Sequence, residues 1–317
     1  MTKPPFPHVW DSTMVGTLRS CARKLELQYI HHWKPQTESV HLVAGGAFAS
    51  GLEAARRAFY EQGLSPSESV AMGLRELITR YGDFECPPDS AKSLERMCGA
   101  LEFYFDNYPL GQDGATPIHA AGEYGIEFSF AVPLDIRHPV TGDPLLYAGR
   151  ADMVANAFGG IFVFDEKTTS SLGASWAKQW EMRSQFTGYV WALAQFGIKA
   201  QGCIVRGVSI LKTKYETQQV ITYRPEWQVE RWLWQTRRDI LRAIEMWKEG
   251  FWDYNLDHSC SEYGGCAFQR VCLSPDPDAW LPTYFTQRVW DPLAREEITV
   301  EEWNKKWEKP IIPIAEA

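Results

Sequence analysis

No stretch of this chain approaches the roughly 18 uninterrupted apolar residues that a membrane helix needs. Met1 to Trp10 carries one lysine and three prolines and lacks the apolar core of a signal peptide; the expectation is a cytoplasmic protein. Cysteine is scarce, seven in 317 residues, too few for a disulfide scaffold. In a reducing compartment clustered thiols more often hold metal or do redox chemistry. Positive charge is short too. A formal net charge of −8 argues against a protein that coats nucleic acid through bulk charge. It leaves room for a site that collects a divalent cation, because such a site is built from carboxylates. Internal repeats and low-complexity linkers are also missing.

What is present is an ordinary globular composition, 45% hydrophobic and 23% charged, with an unusual 14 tryptophans. Tryptophan packs cores and interfaces, and its other use is as a platform for unpaired bases.

The first third reads as helical. Helices are expected over Ser12 to Trp33, Ala44 to Gln62, Ser67 to Tyr81 and Ser90 to Tyr108, with Leu94, Met97, Leu101 and Phe105 at helical spacing in the last. The pattern then changes. Glu123 to Leu134 alternates apolar and polar residues, and strands follow at Leu145 to Ala155 and Ile161 to Thr168 as an antiparallel meander. One long helix is expected over Ser175 to Phe196, capped by Gly197. Two more strands come next, Gly202 to Lys212 and Gln218 to Tyr223, and then a helix that starts after Pro225 and stops at Gly250. The tail from Leu256 reads as irregular. These elements predict one mixed α/β domain wrapped in helices.

The third strand, Ile161 to Phe164, is wholly apolar and stops at Asp165-Glu166-Lys167-Thr168. Asp165 and Lys167 leave one face of the strand and Glu166 the other. Asp152 lies on the preceding strand and can approach Asp165 across the short turn. Two carboxylates held together repel, and a divalent cation relieves this. Gln185 and Tyr189, four apart, share one face of the next helix.

In this order Gly149-x-x-Asp152, Asp165-x-Lys167-Thr168 and Gln185-x-x-x-Tyr189 resemble the later motifs of RecB-like PD-(D/E)XK nucleases. That group includes CRISPR-associated RecB-like exonucleases, the AddAB nuclease domains and phage exonucleases, and the likeness runs from about Val15 to Cys272. It implies an α/β, restriction-endonuclease-like core, with a central mixed β-sheet flanked by helices, an N-terminal helical region and a C-terminal cysteine-rich tail. The domain would span 1–317, divided into a helical part (12–110), the catalytic sheet and helix (120–225), the late helix and cysteine cluster (225–275) and an irregular tail (276–317). Asp152, Asp165, Lys167, Gln185 and Tyr189 would be catalytic. Asp152, Asp165 and the Glu166 carbonyl would hold Mg²⁺ or Mn²⁺. The expected activity is hydrolysis of DNA, exonucleolytic on single strands or ends, in recombination, repair or phage DNA metabolism. A recombination or CRISPR-adaptation protein is the partner such relatives suggest.

The sequence departs from the pattern once. The first motif of the family is a helix bearing a histidine ligand, and Ala49 stands at that place in the Gly45 to Glu53 segment. Alanine cannot bind metal, so either Glu53 or the Glu166 carbonyl would complete the site. The alternative is a weakened or inactive relative that binds DNA or a partner.

Cys260, Cys266 and Cys272 are spaced six apart, and Cys21 sits on the first helix. One early and three late cysteines resemble the iron–sulfur branch of the family, where four thiolates bind a [4Fe–4S] cluster. His258 beside Cys260 keeps a structural zinc as the alternative. Cys86, Cys98 and Cys203 read as ordinary core residues. Arg19, Arg23, Lys24, Arg56 and Arg57 on the early helices, and Arg231, Arg237, Arg238 and Arg242 interleaved with Trp232 and Trp234 on the late one, offer either a groove for single-stranded nucleic acid or a solvated face.

Overall fold

The computed structural model describes residues 4–37, 39–120, 122–256, 258–261, 265–294 and 296–302. Strand β1 (Val9–Trp10) leads into α1 (Ser12–Ser20), whose N-terminus is capped by Asp11 accepting the N–H of Met14 at 2.7 Å. The single helix expected over 12–33 breaks at Cys21, which is extended. The N–H of Arg23 bonds the Asp253 carbonyl at 2.9 Å, so a distant loop captures a donor that a continuous helix would use. Helix α2 (Ala22–Leu25) resumes and widens into a π-turn over Glu26–Ile30, ahead of β2 (Trp33–Pro35).

Helices α3 (Val40–Tyr60), α4 (Pro66–Tyr81) and α5 (Leu94–Asn107) fall close to their predicted places. Local chemistry explains this: Ser65 and Glu68 form a reciprocal capping box at α4, and Ser93 caps α5. The strands follow as β3 (Thr116–Pro117), β4 (His119–Ala120), β5 (Glu123–Tyr124), β6 (Ile126–Arg137), β7 (Pro144–Ala157) and β8 (Gly160–Thr169).

The helix expected over 175–196 is two pieces, α6 (Ala174–Lys178) and α7 (Ser184–Gln195). The Trp180 carbonyl, which a continuous helix would give to Ser184, accepts the Arg224 guanidinium at 2.7 Å instead. Gly197 adopts φ 75°, and the Ile198 N–H closes back on the Leu193 carbonyl at 3.0 Å. Then come β9 (Ala200–Ile210), β10 (Tyr215–Tyr223) and α8 (Glu226–Glu249).

The tail is more ordered than expected. A 3₁₀ turn (His258–Cys260), α9 (Gln269–Leu273), α10 (Pro277–Tyr284), β11 (Phe285–Gln287), β12 (Val289–Asp291) and β13 (Glu296–Ile298) succeed one another. Elements this short carry no readable periodicity, which is why the sequence reads as irregular there. Residues 303–317 of the expected tail lie outside the described part.

The chain divides into two compact units. In the unit made of Glu38–Ser129 and Arg150–Val229, the later half of β7 pairs antiparallel with β8, β8 parallel with β9, and β9 antiparallel with β10, while β3 adds to β7. This mixed sheet packs Phe162, Phe164 and Ile204 against Met153 and Ala155. The apolar stripes of α3, α4 and α5 bury Phe48, Leu52, Leu77, Met97 and Leu101 with Val208 and Ile210 of β9. In the unit made of Met1–Thr37, Phe130–Gly149 and Glu230–Ala317, β1 runs parallel to the start of β7. There β2 pairs antiparallel with β11 over a cluster of Leu27, Phe268, Val271, Leu281 and Phe285. Among the described residues no helix is long and apolar enough to cross a membrane.

Candidate active site

The antiparallel ladder sets Val154 against Val163 and Met153 against Phe164. The register ends at that second pair, and Asp152 and Asp165 are the next residues beyond it on the two strands. Asp152 Oδ2 accepts the backbone N–H of Glu166 at 3.1 Å, so its carboxylate is turned onto the end of β8.

Asp165 is only 1% exposed. Among the described residues no hydrogen bond reaches its Oδ1, and the Lys167 ammonium stands 2.5 Å from Oδ2. Burial is the largest influence on this carboxyl and pushes it up to about 7; Lys167 pulls the other way, while Asp152 and then Glu166 add to the rise. Lys167 is a third exposed. Desolvation pulls its ammonium down, but the Asp165 and Asp152 carboxylates outweigh that and hold it above its ordinary range. A buried carboxylate beside a second one, with Oδ1 left without a hydrogen-bond donor among the described residues, is the kind of ligand set a hard divalent cation takes.

Helix α7 brings the remaining predicted pair. Gln185 Nε2 donates to Tyr189 Oη at 2.8 Å, and buried Tyr189 is close enough to Lys167 to help hold its proton. Asp152, Asp165, Lys167, Gln185 and Tyr189 therefore gather on one side of the sheet. Glu53 does not complete a third carboxylate there: it pairs with Arg57 at 2.9 Å. Among the described residues no set of three or more His, Cys, Asp or Glu stands ready for a metal.

The opposite side of β8 holds groups with no motif to mark them. Glu166 is buried against a bidentate Arg56 and accepts the Tyr104 hydroxyl at 2.9 Å. Arg206, its neighbour across the parallel ladder, donates to Tyr104 Oη at 3.2 Å and to Asp113 at 2.6 Å. Burial alone would raise the Glu166 carboxyl, but Arg56 and Arg206 hold it below its usual range. Arg56, for which the sequence left open a groove or a solvated face, is an internal residue. At the end of the strand the buried Lys92 ammonium donates to Thr168 Oγ1 at 2.9 Å, and desolvation lowers its pKa. Lys92 lies in a loop where no spacing could have pointed to it.

The cysteines meet in the other unit. Asn255 and Ser259 both donate to the Ser20 carbonyl, at 2.7 and 2.9 Å, and the Cys266 N–H bonds the Cys260 carbonyl at 2.9 Å. The first two bonds bring Asn255 and Ser259 onto the residue before the break at Cys21. Desolvation raises the Cys272 thiol first, Arg23 opposes this, and Cys266, Cys21 and Cys260 raise it further. Cys272 thus sits within electrostatic reach of Cys21, Cys260 and Cys266, though no three of them close to metal-ligand spacing. The His258 side chain lies outside the described part. Of the other cysteines, Cys203 is fully buried, while Cys86 and Cys98 are partly exposed.

Most arginines expected along a nucleic-acid groove are paired within the chain: Arg19 with Asp239, Arg23 with Glu26, Arg57 with Glu53 and Glu61, and Arg242 with Asp253. Trp232 is buried, whereas Trp234 is exposed with Arg238 over its ring at 4.7 Å.

The profile of the PD-(D/E)XK nuclease superfamily matches residues 13–273, and the chain belongs to this superfamily. Among solved structures it is similar to a protein from Eubacterium rectale described as a candidate exonuclease, with 14% identity, a TM-score of 0.48, and coverage of 83% of this chain and 87% of that one. It is also similar to the protein SSO0001, with 16% identity, a TM-score of 0.28, and coverage of 60% and 74%. No curated protein matches the chain.

Proposed function

We propose that this chain is a Mg²⁺- or Mn²⁺-dependent deoxyribonuclease of the RecB-like type, an exonuclease acting on single-stranded DNA or DNA ends in recombination, repair or phage DNA metabolism. The observation that carries this reading is Asp165: a buried carboxylate set beside Asp152, with Oδ2 on the Lys167 ammonium and Oδ1 without a hydrogen-bond donor among the described residues. Asp152, Asp165 and the Glu166 carbonyl would hold the cation. Bound there, Mg²⁺ or Mn²⁺ polarises a phosphoryl oxygen and lowers the pKa of water. Lys167, charged and a third exposed, orients the attacking water or meets the negative charge that develops on the phosphate. Tyr189 and Gln185 keep the lysine in place and bond the DNA backbone.

End-labelled single- and double-stranded DNA, incubated with Mg²⁺, Mn²⁺ or EDTA, tests this. Cleavage should require metal and vanish in Lys167→Ala and Asp165→Ala while the fold persists. Variants that cut like the parent would refute the assignment. Ala49 and the lack of a third acidic ligand favour a second reading, a DNA- or partner-binding module without chemistry. Binding of DNA with no metal-dependent cleavage would select it.

The same reading assigns Cys21, Cys260, Cys266 and Cys272 to a [4Fe–4S] cluster that staples the first helix to the late segment, with structural Zn²⁺ as the alternative. The convergence of one early and three late thiols supports it. A brown protein with stoichiometric iron is the expected result, and a colourless one holding zinc selects the alternative.

A further inference from the structure

We propose that Glu166, clamped by Arg56, is the positioning residue of the site: a single buried side chain that fixes Asp152, Asp165 and Lys167 together. This inference rests on the nuclease reading above.

Three observations converge on Glu166. Its backbone N–H is the donor held by Asp152 Oδ2 at 3.1 Å. Its two chain neighbours are Asp165 and Lys167, which leave the opposite face of the strand. Its own side chain, 2% exposed, is gripped by the Arg56 guanidinium, itself 4% exposed. The register with β9 continues through Thr169, but the register with β7 ends at Phe164, so on the β7 edge the 165–167 backbone is met by the hydrogen bond to Asp152. A bidentate arginine fixes the carboxylate in both position and orientation, so the flanking residues are fixed as well.

The clamp is wider than one pair. Tyr104 Oη donates to Glu166 and accepts from Arg56 at 3.0 Å and from Arg206 at 3.2 Å; Arg206 in turn reaches Asp113 and, at 2.9 Å, Gln219. Helices α3 and α5 and strands β8, β9 and β10 are thus joined in one network, in which Glu166 binds Arg56 and Tyr104, and Tyr104 passes the link to Arg206 and Gln219. Stability is a poor reason for this arrangement. Burying charges costs several kcal/mol each, and apolar replacements of a whole buried pair are often neutral or stabilising. A buried network pays off in uniqueness of geometry, and here that geometry is the spacing of the candidate metal ligands.

The test is the paired replacement Arg56→Met with Glu166→Leu, compared with the parent and with Tyr104→Phe. The double variant should melt near the parental temperature yet bind Mn²⁺ more weakly by about 10- to 100-fold and lose kcat at saturating metal by a similar factor. Its affinity for DNA, measured by anisotropy with Ca²⁺ in place of the active metal, should stay parental. Tyr104→Phe preserves shape and should fold even if the double variant does not; losing the three hydrogen bonds its hydroxyl makes with Glu166, Arg56 and Arg206, it should show the same two defects at about fivefold or more. A folded double variant with parental Mn²⁺ affinity and kcat would overturn the inference. A Tyr104→Phe variant with no defect, or losses confined to KM for DNA, would do so too. If the parent binds Mn²⁺ without cutting DNA, the nuclease reading fails on its own, and the Mn²⁺ affinities still decide the role of the clamp.

Discussion

Asp152 acts on strand β8 twice over, accepting the Glu166 N–H at 3.1 Å while raising the Asp165 carboxyl by its charge. The first contact needs only an oxygen, and the second needs a charge. Asp152→Asn keeps the oxygen and Asp152→Ala removes both. The asparagine variant should therefore melt like the parent while cleavage falls at least about 100-fold, the upper end of what even outer-shell changes around a metal cost. The alanine variant should lose cleavage and melt lower as well, because the strand end is freed. Parental cleavage by the asparagine variant would remove Asp152 from the site.

The metal-free site makes its own pH signature. Asp165 titrates near 7 when folded, against an ordinary 3.8. Between those values the folded chain keeps a proton that the unfolded chain releases, so stability falls as pH rises through the window and levels off above it. In EDTA the parent should thus lose melting temperature from about pH 4 to about pH 7 relative to Asp165→Asn, whose side chain does not ionise. Mg²⁺ should raise the parental melting temperature more at about pH 8 than at about pH 5, because protons compete for the same oxygens. Parallel curves for parent and variant would show that Asp165 carries no raised pKa.

Much of the fold was legible because its signals are local. Helices α4 and α5 announce themselves through Ser65, Glu68 and Ser93, and α7 ends at Gly197 because only a residue at ease with positive φ turns the chain there. Strands β7 and β8 could be placed from a turn and an abrupt change from apolar to charged residues. The failures came from distant partners. Asp253 interrupts the first helix and Arg224 splits the sixth from the seventh, and both lie far along the chain from the helices they break.

The same holds for the candidate site. Asp165, Lys167 and Tyr189 could be picked out because their order along the chain resembles the family's motifs, periodicity by itself giving only which residues share a strand or helix face. Arg56 could not, since an arginine beside Ala55 and Leu52 reads as an exposed residue at the edge of an apolar stripe. Its burial depends on Glu166, more than a hundred residues away, and on Tyr104. Lys92 was invisible for the same reason.

A second titration belongs to the other unit. The half-buried His8 ring stacks on His138 with centroids 3.8 Å apart and planes within 3°. His138 Nδ1 accepts the N–H groups of Val140 and Thr141, at 3.3 and 3.1 Å, which puts the ring proton on Nε2, 3.0 Å from the Phe6 carbonyl. Burial, and then His138, push His8 down to about 4, with Asp143 opposing. The unfolded chain takes up this proton first, so stability is present above about pH 6.5 and is lost as pH falls towards about 4. His8→Phe keeps a flat ring in the stack without the titration. Its melting temperature should fall less steeply than that of the parent over that range, and an unchanged slope would acquit His8.

Helices α3 and α4 touch where two glycines meet. A Cβ on Gly73 would lie 2.6 Å from the Gly51 carbonyl oxygen and 3.0 Å from Ala55 Cβ, and neither neighbour can yield without moving α3. Gly46, on the same helix α3, has nothing within 4 Å of its would-be Cβ. Alanine gains roughly 1 kcal/mol over glycine in a helix interior when space is open, whereas overpacking costs about 1–3 kcal/mol. Gly46→Ala should therefore raise the urea midpoint and Gly73→Ala should lower it, although the substitution is chemically the same. Because α3 also carries Arg56, the Gly73 variant should weaken Mn²⁺ binding along with stability, while the Gly46 variant leaves it at the parental level. Midpoints that move together would mean that the two helices are not held in contact at these glycines.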